Sequence, residues 1–126
     1  MKLMARILLV DDEISIRRLL QTILAHEGHD VTTAGDGNEG LTLVNGAVFD
    51  LVITDLIMPD KEGLEMIREI RKTHPNLKII AMTGGGHGDP TEYLTWAKAF
   101  GVQETVLKPF TRDEMVTAVR STLGSE

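Results

Sequence analysis

Two spacings of apolar residues alternate along the chain, and together they predict five strands and five helices. Short, largely apolar runs stand at Ile7-Leu8-Leu9-Val10, Leu51-Val52-Ile53-Thr54, Ile79-Ile80-Ala81-Met82 and Val106-Leu107. Unbroken runs of this length suit strands buried on both faces. After the first run, Ile16, Leu19, Leu20, Ile23 and Leu24 recur at helical spacing, and Gly28 suits the left-handed residue that ends a helix. His29 to Ala34, with β-branched Val31, Thr32 and Thr33, predicts a further strand. Asp36 and Glu39 form a capping-box pattern that opens a second helix through Val44. Leu64, Ile67 and Ile70 mark a third helix, which His74-Pro75-Asn76 stops. Gly84-Gly85-Gly86 opens a loop, and Asp89-Pro90 suits the start of a fourth helix that runs to about Phe100, with Gly101 past its end. Thr111 and Glu114 make another capping box, and Met115, Val116, Val119 and Leu123 give the last helix its buried face.

Strand and helix in strict alternation imply an α/β fold, a doubly wound five-stranded parallel sheet. Each parallel connection needs a crossover, and right-handed crossovers put helices on both faces. Ligands in such sheets sit beyond the carboxyl ends of the strands. The 126 residues contain no linker, repeat or low-complexity stretch, so one domain is expected. Hydrophobic residues make up 42% of the chain and aromatics only 4%, so the core must be mainly Leu, Ile, Val and Ala.

The chemistry collects at the strand ends. Asp11 and Asp12 follow the first run, Asp55 the second, Thr83 the third and Lys108 the fourth. Parallel strands bring such residues to one edge, where three acids, a hydroxyl and an ammonium should meet. Acids after strands also serve simply as helix caps, but five concurrent placements weigh against that reading. Crowded carboxylates repel one another and call for a cation. Magnesium suits them, because it accepts a few carboxylates, keeps several waters and shares its remaining positions with phosphate. Lys108 and Thr83 are then placed to meet phosphoryl oxygens, with a carboxylate as nucleophile.

Charge and composition narrow the choice of partners. Lys and Arg number 13 against 19 for Asp and Glu, a net charge of -6 that repels a phosphate backbone, so direct nucleic-acid binding is not expected. Lys2 and Arg6 precede an apolar run too short for a signal peptide, and no segment reaches membrane-spanning length, so no membrane insertion is expected. The absence of cysteine excludes disulfides, thiol catalysis and cysteine zinc sites, and it fits a cytoplasmic protein.

Taken together these residues resemble the receiver domain of two-component response regulators, including the single-domain chemotaxis type. The matching signs are Asp11-Asp12, Asp55 followed by Met58-Pro59 and Gly63, Thr83-Gly84, and Lys108-Pro109-Phe110. The resemblance covers essentially all of residues 1–126, read as one receiver domain with no output domain. It implies a flavodoxin-like sheet in the order 2-1-3-4-5. It implies that Asp55 accepts a phosphoryl group from a phosphohistidine on a sensor histidine kinase or histidine phosphotransfer protein, changing the binding of a downstream protein. Magnesium would be held by Asp12, Asp55 and the backbone carbonyl of Ile57, with Asp11 acting largely through water. Thr83 and Lys108 would hold the phosphoryl oxygens, and the bond between Lys108 and Pro109 would be cis.

Two departures from that family stand out. Receivers usually carry Tyr or Phe three residues before the lysine, a ring that reorients on signalling, whereas here the switch position is Thr105. The Gly84 to Gly88 loop, with His87, reads as a few residues longer than usual, and movement of this glycine-rich segment is expected to replace ring rotation. Ile57 and Gly85 are placed to tune the phosphoryl lifetime by controlling water access.

Rival readings fit less of the chain. Gly35-Asp36-Gly37-Asn38-Glu39-Gly40 matches a dinucleotide-binding pattern, but Asp36 and Glu39 would point negative charge at a pyrophosphate. Haloacid-dehalogenase-type phosphatases use a similar set of residues with a second acid two positions after the nucleophile. That position is Ile57, which cannot move protons, so a signalling acceptor is expected rather than a turnover enzyme. A receiver-shaped module that is never phosphorylated is the remaining alternative. His26 and His29 read as flanking a solvated helix end, and Tyr93, Trp96, Ala97 and Phe100 as a core stripe. Ile14, Ile16, Arg17 and Arg18 are candidate contacts for a phosphodonor, with Ile16 claimed by the core.

Overall fold

A computed structural model describes residues 4–56, 63–84 and 90–124, with the backbone alone over 90–94. The strands are β1 (Arg6–Val10), β2 (Asp30–Ala34), β3 (Leu51–Asp55), β4 (Lys78–Thr83) and β5 (Glu104–Leu107). They pair in parallel in the order β2-β1-β3-β4-β5, as the resemblance implied. The helices are α1 (Ile14–His26), α2 (Gly37–Gly46), α3 (Gly63–Thr73), α4 (Pro90–Ala99) and α5 (Arg112–Gly124).

The apolar runs are continuous because the central strands are covered on both sides. Ile7, Leu9, Leu51, Ile53, Ile80 and Met82 face one way and pack with Leu20, Ile23 and Leu24 of α1 and Met115, Val116 and Val119 of α5. Leu8, Val10, Val52, Ile79 and Ala81 face the other way, against Val44 of α2, Met66, Ile67 and Ile70 of α3 and Ala97 of α4. Each fully buried side chain of this size contributes roughly 1.5–3 kcal/mol, so the two half-cores together lock the strand register.

The helix signals resolve into specific contacts. At α5 the capping box is complete: Glu114 N–H donates to Thr111 Oγ1 at 3.1 Å and Thr111 N–H to Glu114 Oε1 at 2.8 Å. At α2 the Glu39 amide bonds Asp36 Oδ1 at 2.8 Å, but the Glu39 carboxylate accepts from Gly35 N–H at 2.6 Å, one residue earlier than a capping box predicts. Gly28 and Gly101 follow α1 and α4 with φ of 94° and 77°, the left-handed ends that their positions suggested. Arg71 of α3 donates to the carbonyls of His74, Leu77, Phe100 and Gly101, tying the end of α4 to the α3–β4 turn.

Several expectations about side chains need correction. Leu19, Trp96 and Leu107 are 49%, 56% and 56% exposed, so not every apolar residue at core spacing is core. Leu107 belongs to an edge strand with a single neighbour, and Trp96 departs from the stripe that buries Ala97 beside it. The Tyr93 side chain lies outside the described residues. His29 is not merely solvated: its Nδ1 accepts the Ala5 N–H at 3.1 Å, and burial lowers its pKa. His26 lies 3.2 Å from an Arg112 guanidinium nitrogen on α5.

Among the described residues, one buried side-chain group lacks a partner. Thr122 of α5 is 2% exposed and its hydroxyl makes no hydrogen bond. A buried donor without an acceptor is destabilising. Thr122→Val is therefore expected to raise stability by about 1 kcal/mol in denaturant unfolding, and a lower midpoint would contradict it.

Candidate functional site

Asp11 leaves β1 fully buried, and its polar atoms are engaged on every side. Its N–H donates to the Ala34 carbonyl at 3.1 Å, and its carbonyl accepts from Arg17 Nη1 at 2.7 Å. Its Oδ1 accepts from Glu13 N–H at 2.9 Å and its Oδ2 from Lys108 Nζ at 2.8 Å. Asp12, the next residue, is exposed. Asp55 closes β3 at 7% exposure, with Oδ2 3.5 Å from Lys108 Nζ. One carboxylate oxygen from each of Asp11, Asp12 and Asp55 lies within 4.8 Å of the others.

The backbone around this cluster leaves no room for side chains at two glycines. A Cβ on Gly63 would overlap the Asp55 carbonyl oxygen, and one on Gly84 would overlap the Lys108 carbonyl oxygen. Glycine at these positions lets α3 start against the end of β3, and lets the end of β4 pass against the Lys108 backbone. Thr83, buried at the end of β4, accepts the Lys108 N–H on its carbonyl at 2.8 Å. The Lys108–Pro109 bond is cis. Thr54 Oγ1 donates to the Asp55 carbonyl at 2.8 Å, which further orients the end of β3.

The electrostatics follow from burial and crowding. Burial pushes the Asp55 carboxyl up to about 6; Lys108 opposes the shift, while Asp11 and Asp12 add to it. Burial alone would lower the Lys108 ammonium, but its hydrogen bond to Asp11 and the charges of Asp11, Asp55 and Glu13 outweigh that and leave it raised. Three carboxylates and one ammonium leave two uncompensated negative charges, and all the donors are hard oxygens. That set fits a divalent cation such as magnesium.

The residues singled out in the sequence thus come to one edge of the sheet: the carboxylates of Asp11, Asp12 and Asp55 lie within 4.8 Å of one another, Lys108 reaches Asp11 and Asp55, and Thr83 stands beside the Lys108 backbone. Thr105 lies in β5, half-buried and in register with Ala81 of β4. Ile57, Met58, Pro59, Gly85, Gly86, His87, Gly88 and Asp89 lie outside the described residues. The family profile of the response regulator receiver domain matches residues 7–120. The chain belongs to that family.

The curated relatives that it matches are longer proteins. The probable transcriptional regulator ycf27 of Cyanophora paradoxa is 40% identical over 118 residues, covering 94% of this chain and 48% of the relative. The DNA-binding transcriptional regulator NtrC of Azospirillum brasilense is 38% identical over 123 residues, covering 96% of this chain and 24% of the relative. This receiver domain therefore spans between about a quarter and half of those proteins. Among solved structures, the receiver domain of NtrX from Brucella abortus superposes with a TM-score of 0.88 at 33% identity, covering 95% of this chain and 99% of that one. The chemotaxis response regulator CheY4 of Vibrio cholerae gives 0.86 at 31% identity, covering 94% and 98%. No helix among the described residues is long and apolar enough to cross a membrane.

The sequence reading missed two contributors. Arg17, grouped with candidate donor contacts, turns inward to the Asp11 carbonyl. Glu13 adds an exposed acid 4.0 Å from Lys108 Nζ. Both follow the acidic pair within two helical turns, which is the available signal, although spacing alone does not say which way either side chain turns.

Proposed function

We propose that this receiver domain is a magnesium-dependent phosphoacceptor switch in which Asp55 takes a phosphoryl group from a phosphohistidine. The donor would be a sensor histidine kinase or histidine phosphotransfer protein, and the output a change in binding to a downstream protein. The observation that carries this reading is the meeting of Asp11, Asp12 and Asp55 within 4.8 Å, with the Lys108 ammonium against Asp11 and Asp55.

Asp55 is ionised above about pH 6 and, though only 7% exposed, ends β3 at the edge of the sheet, where one oxygen can attack phosphorus. The phosphorus–nitrogen bond of the donor breaks, and the imidazole nitrogen keeps the electron pair. Lys108 exchanges part of its contact with the acids for the transferred oxygens, and the Thr83 hydroxyl donates to another. Asp11, Asp12 and Asp55 would hold magnesium, helped by the Ile57 carbonyl, and the ion supplies the positive charge that lets a dianionic group approach three acids. With Ile57 two positions beyond Asp55, no acid stands there to activate water, which favours a persistent signal over turnover. With Thr105 in place of an aromatic ring, the proposed readout is a change in α4 rather than a ring rotation. Unchanged hydrogen exchange in α4 after phosphorylation would contradict that readout.

The test is incubation with a small acyl phosphate and magnesium, read by intact mass. The native chain is expected to gain one phosphoryl group, while Asp55→Asn and the native chain with chelator gain none. A native chain that never gains that mass would instead be a receiver-shaped interaction module.

A further inference from the structure

We infer that Arg17 is a positioning residue for the cation site, because it pins the peptide from which the Asp12 carboxylate projects. The inference rests on the reading of Asp11, Asp12 and Asp55 as the cation-binding acids. Asp11 itself is held from four directions, but Asp12 is exposed, and its aim depends on the Asp11–Asp12 peptide. Arg17 Nη1 donates to the carbonyl of that peptide at 2.7 Å. The guanidinium is also confined from the β2 side: a Cβ on Gly35 would lie 3.5 Å from Nη1 and 4.0 Å from Glu39 Oε1. Glu39 in turn accepts the Gly35 N–H, so the β2–α2 turn forms a wall beside the guanidinium.

Charge and geometry make opposite predictions here. A guanidinium near three acids repels an incoming cation, so if charge were all that mattered, removing it would tighten magnesium binding. If Arg17 acts by holding the peptide, removing it frees the Asp12 carboxylate and weakens binding. Groups that orient metal ligands are commonly worth 10–100-fold in affinity. The sign of the change therefore distinguishes the two roles.

The experiment titrates magnesium alone into the native chain, Arg17→Met, Arg17→Gln and Arg17→Lys, following amide chemical shifts. Arg17→Met fills similar volume without a donor, and the Arg17→Gln amide stops short of the carbonyl, so both are expected to bind magnesium at least about tenfold more weakly. Arg17→Lys, which restores a donor of nearly the same reach, should return to within about threefold of native. At saturating magnesium the rate of phosphorylation by an acyl phosphate should be nearly native in all three, because only the affinity has changed. Tighter or unchanged binding in Arg17→Met and Arg17→Gln would overturn the inference, as would Arg17→Lys no better than Arg17→Met. A native chain that does not bind magnesium would overturn the reading of the three acids as a cation site.

Discussion

Lys108→Met is expected to destabilise the metal-free receiver domain by roughly 3–5 kcal/mol at pH 7, the cost of removing one partner from a buried ion pair. Asp11 is fully buried and receives the Lys108 ammonium at 2.8 Å, with Lys108 itself only 14% exposed. Without that ammonium, the buried Asp11 and Asp55 carboxylates lose their directly paired counter-ion. The loss should shrink on acidification, which discharges carboxylates, and on addition of magnesium, which replaces the missing positive charge. Denaturant unfolding with and without magnesium measures both effects. Coincident native and variant curves without metal would mean that Lys108 is not the counter-ion of this cluster.

Asp55→Asn should have the opposite sign. The Asp55 carboxyl is pushed up to about 6, whereas its ordinary value is 3.8, so the folded state holds a proton that the unfolded chain releases between those values. Stability is therefore lost as pH rises through that window. Below pH 4 both states are protonated and the group costs nothing. Above pH 6 the full cost applies, on the order of 3 kcal/mol. An amide carries no such charge, so Asp55→Asn should match the native domain near pH 4 and exceed it increasingly toward pH 7 in metal-free buffer. Magnesium should narrow the gap by binding the native acids. A gap that does not depend on pH would remove burial of the Asp55 charge as its cause. The same carboxylate would thus be both a burden on the resting fold and the group that reacts.

Much of this was legible in the chain. The runs at Ile7, Leu51 and Ile79 became central strands because burial on both faces demands a nearly unbroken apolar run, and that demand is written locally. Parallel strands all end at one edge, so Asp11, Asp55, Thr83 and Lys108 could be brought together from their positions after those runs. The glycines at 28 and 101 and the Thr111 cap were equally local. The orientation of individual side chains was not. Arg17 and Leu19 stand two residues apart on α1, yet one turns in to the Asp11 carbonyl and the other lies half in solvent. Spacing along a helix ranks faces, but the choice at its edges depends on what the neighbouring turns present, here the β2–α2 turn beside Arg17 and the Pro109-Phe110 segment beside Leu19. His29 likewise acquires its structural task only because Ala5 presents an N–H from 24 residues away. Sequence alone determined which residues would meet, because strand ends are set by local hydrophobicity. Tertiary packing decided how they meet: which oxygen of Asp11 takes the ammonium, how far burial raises the Asp55 carboxyl, and what holds the acidic turn. Those depend on distances between segments that lie far apart in the chain.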